Sequence, residues 1–356
     1  MSRTGWSCHS DPSRTGFPSL SSSSMSSMAP VSPAARDVPE AMLTSYRLVR
    51  VAVVDLGTNT TRVLIADVVD GRVKELDRRT TVTRLGEAVD ATRRLADGAV
   101  ERVTKVLDDY KRAIDELRPE RTIALATSAV RDAENGSEFR QLLHDRYGFD
   151  AHIIPGEEEA RLTFLGATAQ RPRGAGPFVV IDIGGGSTEY VVGRVGGAPT
   201  FSVSTQAGSV RQTERHLRED PPSEEDVVTL RAAIRSIIEH AIPAEVRESV
   251  EAGIAVAGTA TSLAAIDQQL DPYDPEKVDG YGLLIEACDR MLGELAALPL
   301  AERREVTGLH PDRAPTIIAG TAILLESMRL FGLGSVEVSE ADILHGAALE
   351  LASNGS

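Results

Sequence analysis

The segment from Phe178 to Val192 reads FVVIDIGGGSTEYVV, and the interpretation of the whole chain starts from it. An apolar run broken only by Asp182 is followed by three glycines, three polar residues and a second apolar run. This pattern is typical of a buried strand, a tight turn and a second strand. Glycines let a backbone approach a ligand closely, and successive N–H groups in such a turn form an anion-binding nest. The alternative is an ordinary glycine-rich hairpin without a ligand.

A shorter version of this pattern occurs earlier in the chain, at Asp55-Leu-Gly-Thr-Asn-Thr. Each copy consists of a strand, an Asp, an apolar residue, a Gly, hydroxyl residues and a second strand. Such a repeat predicts two related α/β domains, each of which offers one glycine loop to a shared cleft. The carboxylates of Asp55, Asp182 and Glu189 near the loops suit a hydrated divalent cation.

Composition excludes several classes of function. The 356 residues carry a net charge of −15, so nucleic-acid binding driven by overall charge is not expected. A polyanionic ligand would have to be met by local arginines, backbone nests or a metal ion. The two cysteines, Cys8 and Cys288, make no disulfide framework, which fits a reducing cytoplasm. No apolar run is long enough for a membrane span, and the histidines show no zinc-ligand spacing.

The composition also divides the chain into parts. Residues 1–45 are rich in Ser and Pro and are expected to form a disordered tail, with Met28 or Met42 as alternative translation starts. Residues 46–170 are expected to form a first domain and residues 171–339 a second, with the boundary in the polar linker 167–177. The C-terminal helix, 340–353, is expected to pack back on the first domain.

The hydrophobic periodicity gives a coarse list of elements. Besides the organising hairpin, it predicts strands at 48–55, 63–68, 74–83, 121–126, 151–154, 200–206, 253–257 and 335–339. It predicts helices at 99–117, 139–146, 157–166, 221–241, 283–298, 315–331 and 340–352, and a turn at 258–261 that enters a further helix.

The helix predicted after Pro155-Gly156 opens with three acids, Glu157, Glu158 and Glu159. The helix dipole favours acids in a first turn, and this explains Glu157 and Glu158. Phe164 indicates that part of the same helix turns inward. Glu159 is therefore a candidate catalytic residue, with a third helix-start acid as the plainer alternative.

With these motifs the chain resembles the Ppx/GppA family, which comprises exopolyphosphatases and guanosine pentaphosphate phosphohydrolases. The resemblance covers roughly 51–351 and rests on several motifs in order: the two glycine loops, Thr83–Gly86, Ala126–Arg131, Pro155–Arg161, Arg313–Gly320 and Val338–Asp342. It implies an α/β fold of the duplicated actin-like ATPase (ribonuclease H-like) type, with two domains around an interdomain cleft. The chain resembles the short, two-domain actinobacterial members.

The resemblance also implies a reaction and a site. The reaction is Mg²⁺- or Mn²⁺-dependent hydrolytic release of terminal orthophosphate from inorganic polyphosphate. Glu159, as general base, and Glu189 would be catalytic, and Asp55, Asp182 and Glu189 would hold the metal. The implied phosphate-binding residues are Gly57, Thr58, Asn59, Thr60, Arg84, Ser128, Arg131, Gly184, Gly185, Gly186, Ser187 and Thr188. Outside that role, Arg84 and Arg131 would be surface ion pairs and Asn59 a turn residue.

Other functions remain open from sequence. The same chemistry would serve a pppGpp 5′-phosphohydrolase, and a non-catalytic sensor would bind (p)ppGpp or polyphosphate without cleaving it. A sugar or acetate kinase fits the Pro155–Arg161 motif poorly. The expected partners are polyphosphate or (p)ppGpp and a second copy of the chain, with no nucleic acid and no membrane. A cytoplasmic location and a part in the stringent response complete these expectations. Pro315-Thr316 and Leu344-His345 depart from residues frequent in the family.

Overall fold

The computed structural model describes residues 48–353, and these residues form an α/β fold built on two mixed β-sheets. The expectations for the N-terminal tail, residues 1–45, and for translation starts at Met28 or Met42 lie outside the described residues.

The strands run between the following residues: β1 (Val49–Leu56), β2 (Thr60–Val69), β3 (Arg72–Val82), β4 (Arg121–Ala126), β5 (Ala151–Ile153), β6 (Phe178–Ile183), β7 (Thr188–Gly193), β8 (Phe201–Thr205), β9 (Ala252–Val256), β10 (Gly282–Leu284) and β11 (Ser335–Val338).

The helices run between the following residues: α1 (Val89–Thr92), α2 (Asp97–Leu117), α3 (Ser128–Asp132), α4 (Gly136–Tyr147), α5 (Gly156–Thr168), α6 (Ser209–His216), α7 (Glu224–Ala241), α8 (Ala244–Glu248), α9 (Ala257–Asp267), α10 (Pro275–Val278), α11 (Ile285–Ala297), α12 (Leu300–Arg303), α13 (Ile317–Leu330) and α14 (Ile343–Ser353). A 3₁₀ turn spans Pro311–Arg313.

The two sheets repeat one topology. The first has the strand order β3-β2-β1-β4-β5, and the second has the order β10-β11-β9-β6-β7-β8. In each, an antiparallel three-stranded meander continues into parallel strands on the other side of its first strand. Strand β10 is the one addition, at the edge of the second sheet. This is the duplicated α/β arrangement that the repeated glycine motif predicts.

Helix α5 lies between the two sheets. Ala160 and Phe164 on one side of α5 pack with β6, β7 and β9 of the second sheet. Leu162 on its other side packs with α14 against the first sheet. Glycines at the crossing allow this approach, because a Cβ on Gly346 would lie 1.8 Å from the carbonyl oxygen of Leu162.

We propose from this packing that the chain divides as the sequence indicates. A first domain, 46–170, would then include the C-terminal helix, and a second would span 171–339. Residues 48–168 are called the first lobe below, and residues 178–338 the second lobe.

Several element boundaries differ from the expectation. Helix α11 begins at Ile285 and not at residue 283, because Gly282–Leu284 pairs with β11 as an edge strand. The expected turn at 258–261 is the first turn of α9, which starts directly after β9. Ala257 has a φ of 65° and makes the change of direction alone. Neither the pairing of strands across a sheet nor a single residue with a left-handed backbone conformation produces a pattern in the local sequence.

Two further differences lie close to the cleft. Helix α6, Ser209–His216, is absent from the list of elements predicted from the sequence. Helix α14 begins at Ile343 rather than at residue 340, because the carboxylate of Asp342 accepts the N–H of Leu344 and caps the chain there.

Candidate active site

The two glycine loops sit at the ends of matching hairpins. In the first, Asp55 lies opposite Arg62, and in the second, Asp182 lies opposite Glu189. Directly opposite residues of an antiparallel pair share one face of the sheet. The first hairpin therefore pairs an acidic residue with a basic residue, whereas the second places two acidic residues together.

Each loop is closed by the same hydrogen bond. The N–H of Gly57 donates to the Thr60 carbonyl at 2.9 Å, and the N–H of Gly184 donates to the Ser187 carbonyl at 3.0 Å. These two amides are taken up by the turns themselves. The turn bonds therefore leave only the amides that follow Gly57 and Gly184 in each loop available to bind a phosphate.

The N-terminal end of α6 orients the second loop. The N–H of Ser209 binds the carbonyl of Gly184 at 2.9 Å, and the N–H of Val210 binds that of Gly185 at 2.8 Å. The carbonyl of Gly186 accepts from the Arg211 Nε at 2.8 Å. In a trans peptide the C=O and the following N–H point in opposite directions. The N–H groups of residues 185–187 therefore turn away from α6, and none of them has a backbone acceptor within 48–353.

The two loops touch each other. The Thr58 and Ser128 hydroxyls are hydrogen-bonded at 2.8 Å. A Cβ added to Gly186 would lie 2.3 Å from the Ser128 hydroxyl oxygen and 2.9 Å from that of Thr58. The second loop can approach the first this closely only because residue 186 has no side chain.

A cavity of about 940 Å³ extends from the loops between the lobes. The predicted site residues that line it are Asp55, Gly57, Thr58, Asn59, Thr60, Ser128, Glu159, Asp182, Gly184, Gly185 and Ser187. The predicted site residues that do not line it are Arg84, Arg131, Gly186, Thr188 and Glu189.

Glu159 reaches the cavity from the first turn of α5 and is buried. This turn packs tightly on β8, since a Cβ on Gly156 would lie 2.4 Å from the Cβ of Ser204. The guanidinium of Arg131 lies 3.3 Å from the Glu159 carboxylate. Burial, and then the charges of Glu189 and Asp182, raise the pKa of Glu159 well above its usual range.

The second hairpin carries a concentration of buried negative charge. The Asp182 carboxylate accepts from the Thr163 hydroxyl at 3.0 Å, and burial together with Glu189 raises its pKa to about 7. Glu189 accepts from the Ser204 hydroxyl at 2.7 Å through Oε1, while its Oε2 is buried without a hydrogen-bond partner. Burial also raises the pKa of Glu189.

Arg62 neutralises the first hairpin. Its guanidinium bonds to Asp55 at 2.7 Å and, on the other side, to Asp342. Burial opposes its charge, but Asp342 and Asp55 outweigh burial and raise the pKa of Arg62. Asp55 Oδ1 is nevertheless left buried without a partner, and burial raises the pKa of Asp55.

Sequence reasoning did not select Arg62, Asp342 or Thr163. The hairpin register would have indicated Arg62, because it is the residue opposite Asp55 across the turn. Asp342 lies 280 residues from Arg62. No local pattern could have joined these two.

Arg313 is a second arginine of the cavity wall that was not selected. It packs over the backbone at Gly258, where a Cβ would overlap its guanidinium at 1.1 Å. Burial and the charge of Arg62 lower the pKa of Arg313. Arg313 thus adds a positive charge to the cavity wall.

His345, in α14, contacts two residues of the cavity wall, Glu75 and Asp342. Its Nε2 lies 2.9 Å from Glu75 Oε1, and its Nδ1 lies 4.0 Å from the Asp342 carboxylate. Burial opposes the charge of the imidazole, but the contacts with Asp342 and Glu75 outweigh it and raise the pKa of His345.

Three predicted phosphate ligands have other contacts in the structure. The Arg84 N–H binds the carbonyl of Asn59 at 2.9 Å and so supports the first loop from behind. The Arg131 guanidinium binds the Ile154 carbonyl at 2.8 Å as well as Glu159. The Thr188 hydroxyl donates to the Ala207 carbonyl at 2.5 Å.

Two facing glycine loops, hydroxyl donors and a buried carboxylate at one cavity define a protein that acts on phosphoryl groups. The sequence pattern of the Ppx/GppA phosphatase family matches residues 64–354, and the chain belongs to this family.

Named relatives agree with the family match. The chain is similar to exopolyphosphatase 2 of Mycobacterium tuberculosis, with 38% identity over 86% of this chain and 99% of the relative. It is also similar to the crystal structure of the Aquifex aeolicus Ppx/GppA family member, with a TM-score of 0.74 and 31% identity over 87% of this chain and all of that one. An exopolyphosphatase structure from Cytophaga hutchinsonii gives a TM-score of 0.77 and 25% identity over 85% of this chain and 98% of that one. These neighbours have the actin-like fold expected from sequence.

Proposed function

We propose that this protein is an exopolyphosphatase that hydrolyses the terminal phosphoanhydride of inorganic polyphosphate and releases orthophosphate. The observation that carries the proposal is the contact between the two glycine loops beside a buried Glu159. Relatives named as exopolyphosphatases support the choice of substrate.

The loops would bind the terminal phosphoryl group. The N–H groups of residues 185–187 turn away from α6, and they face the hydroxyls of Thr58 on the first loop and Ser128 at the start of α3. These donors are fixed before substrate arrives, so they need little reorganisation as charge develops on the phosphoryl oxygens. Arg62 and Arg313 would add positive charge at the same cavity.

Glu159 would accept the proton of the attacking water. The water oxygen forms the new bond to the terminal phosphorus, the P–O bond to the next phosphate breaks, and the shortened chain leaves with its electron pair. The Arg131 contact holds the Glu159 carboxylate in place while leaving it exposed to the cavity. We assign Arg131 to this role rather than to a direct phosphate contact.

The donor set fits a divalent cation. Oδ1 of Asp55 and Oε2 of Glu189 are buried carboxylate oxygens without partners, and Asp182 lies opposite Glu189. Within the described part of the chain, no three His, Cys, Asp or Glu side chains group closely enough to ligate one ion. Mg²⁺ suits such a site, because it usually takes one or two carboxylates and completes its shell with water and phosphate oxygens.

We therefore propose Mg²⁺, or Mn²⁺, held by Asp182 and Glu189 with Asp55 nearby. When bound, the ion would neutralise phosphate charge and lower the pKa of the neighbouring carboxylates, including Glu159. Nine acidic side chains and four arginines line the cavity. Polyphosphate would therefore enter as its metal complex rather than as a bare anion.

The cavity also supports a second candidate. Its volume of about 940 Å³ is at the upper end of the range for small-molecule sites and exceeds what one phosphoryl group requires. A nucleotide fits that space, so we keep pppGpp 5′-phosphohydrolysis as the alternative. A sensor that binds (p)ppGpp or polyphosphate without cleavage is the non-catalytic alternative.

The test is phosphate release from polyphosphate and from pppGpp, with and without Mg²⁺. We expect release from polyphosphate that stops on chelation. We expect Glu159→Gln to lower kcat by about 10²-fold or more. The matched control is Glu157→Gln, an exposed acid two residues earlier in the same helical turn, which should keep the wild-type rate.

The outcomes separate the candidates. Faster release from pppGpp would favour the nucleotide enzyme. Tight binding of either compound without release would favour the sensor. A Glu159→Gln enzyme with a near-wild-type kcat would refute the base assignment.

The remaining expectations are also proposals. No helix among residues 48–353 is long and apolar enough to cross a membrane. We propose a cytoplasmic location, a homodimer and, should pppGpp be a substrate, a part in the stringent response. Light scattering of the purified protein would test the dimer.

A further inference from the structure

Arg211 is a buried arginine outside the cavity that joins the two lobes. It lies in the first turn of α6, and its side chain is only 7% exposed. Its Nε donates to the Gly186 carbonyl at 2.8 Å, and its Nη2 donates to Asp132 at 2.7 Å. Its remaining nitrogen, Nη1, bonds to Asp90. One guanidinium thus holds the second glycine loop and two acids of the first lobe.

The acid partner Asp132 belongs to a helix that already serves the site. Asp132 ends α3, whose first residue, Ser128, bonds to Thr58 of the first loop. One residue before Asp132, Arg131 contacts Glu159. The start of helix α3 therefore contacts the first loop. The end of α3 contacts the proposed base, Glu159, and is joined to the second loop through Arg211.

We propose that Arg211 is a positioning residue that fixes the second glycine loop relative to α3, and thereby relative to the first loop and Glu159. The inference rests on the proposed role of the two loops in phosphate binding. It assigns to Arg211 no contact with substrate.

The guanidinium geometry explains why this position requires arginine. Its three nitrogens diverge in one plane and reach three acceptors at once, while a lysine ammonium is a single donor centre. Lysine would keep the positive charge between Asp90 and Asp132, but it would leave the Gly186 carbonyl or one acid without its bond. Arg211→Lys therefore tests the geometry of the guanidinium separately from its positive charge.

The same surface offers a matched control. Arg215, one turn later on α6, is 43% exposed, and both hydrogen bonds of its guanidinium, each 2.7 Å long, go to Asp90. An exposed ion pair of this kind contributes little to stability. Arg215→Ala removes a lobe-to-lobe ion pair and leaves the Gly186 bond intact.

The experiment compares wild type, Arg211→Lys, Arg211→Ala and Arg215→Ala in the full chain. Two quantities are measured: the kcat and KM of phosphate release, and the deuterium uptake of the peptide that contains residues 184–189. We expect Arg211→Lys to lower kcat by about 10-fold or more with a smaller change in KM, since misplaced donors cost most in the transition state. We expect faster uptake in the loop peptide, and wild-type values of both quantities for Arg215→Ala.

A second pair of variants keeps the test decisive if Arg211→Ala does not fold. Asp132→Asn preserves shape and removes one charged partner, so it should change both quantities in the same direction but less. Adding Asp132→Asn to Arg211→Lys should cost less than the product of the two single effects, because the two residues act as one unit.

Three results would overturn the inference. The first is wild-type kcat and uptake in Arg211→Lys. The second is a lower kcat with unchanged uptake, and the third is faster uptake with unchanged kcat. If wild-type protein releases no phosphate from either substrate, the proposed function fails by itself. The uptake comparison then still decides whether Arg211 holds the loop.

Discussion

Gly186→Ala tests the idea that the two glycine loops work in contact. The added Cβ would lie 2.3 Å from the Ser128 hydroxyl oxygen and 2.9 Å from that of Thr58. Real Cβ atoms do not approach such oxygens closer than about 3.0 Å. The second loop must therefore move away from Ser128 by roughly 0.7 Å, or Ser128 must rotate and give up its bond to Thr58.

The expected kinetic effect follows from that displacement. A misplacement on the order of 1 Å in a catalytic arrangement costs about 10²-fold in rate. We therefore expect kcat to fall by about 10- to 100-fold, which corresponds to roughly 1.4–2.7 kcal/mol of transition-state stabilisation. Overpacking of this size destabilises a fold by about 1–3 kcal/mol, so the protein should still fold.

The assay is steady-state phosphate release, with thermal melting as the check on folding. Ser128→Ala should rescue Gly186→Ala in part, because it removes the oxygen at 2.3 Å and leaves a Cβ at 3.4 Å. Gly293→Ala is the control, since an added Cβ there meets nothing within 4 Å. That substitution lies inside α11 and should stabilise the protein by up to about 1 kcal/mol without changing the rate.

The double variant gives the sharper result. If the steric contact is real, the Ser128→Ala, Gly186→Ala enzyme should be faster than Gly186→Ala alone. If its loss equals the product of the two single losses, the substitutions act independently and the close approach of Gly186 to Ser128 has no kinetic effect. A wild-type kcat in Gly186→Ala would refute the reasoning directly.

Three further predictions concern stability. Adding Mg²⁺ to chelator-treated protein should raise Tm more at pH 8 than at pH 6. The reason is that the metal binds ionised carboxylates, and the pKa of Asp182 is about 7 without the metal. Asp182→Asn should reduce the rise in Tm that Mg²⁺ causes in a melting experiment. The raised pKa of His345 stabilises the fold when the imidazole is protonated, so the Tm gap between wild type and His345→Gln should be widest near pH 6 and shrink towards pH 9. Gly346→Ala should lower Tm by several degrees, because its Cβ would meet the Leu162 carbonyl at 1.8 Å and force α14 away from α5.

The repeated hairpin was the part of the fold most accessible from sequence. A run of β-branched residues, an Asp and a glycine turn make a hairpin by local rules, and two copies indicate a duplicated fold. The segments that local rules missed depend on distant partners. Strand β10 exists because β11 offers an edge, and α6 begins where its first N–H groups meet the carbonyls of the second loop.

The candidate site divides in the same way. Its loop residues and Glu159 could be predicted because each stands in a short motif, and 11 of the predicted positions line the cavity. Their electrostatic partners could not, because contacts such as Arg62 with Asp342 and Arg211 with Asp90 join residues 280 and 121 positions apart. Arg131 shows the limit within a motif. Its place was predicted, but the structure turns its guanidinium to Glu159 and to a backbone carbonyl.

The two halves of the duplicated fold differ at one pair of equivalent positions. The hairpins share a register, so Arg62 and Glu189 occupy equivalent positions opposite Asp55 and Asp182. In the first half Arg62 forms an ion pair with Asp55, whereas in the second half the two buried acids, Asp182 and Glu189, repel each other. The second half therefore has the stronger electrostatic reason to take up an external cation. Glu159, from the helix between the sheets, faces that half. A cation that relieves the repulsion between Asp182 and Glu189 would therefore also keep Glu159 ionised.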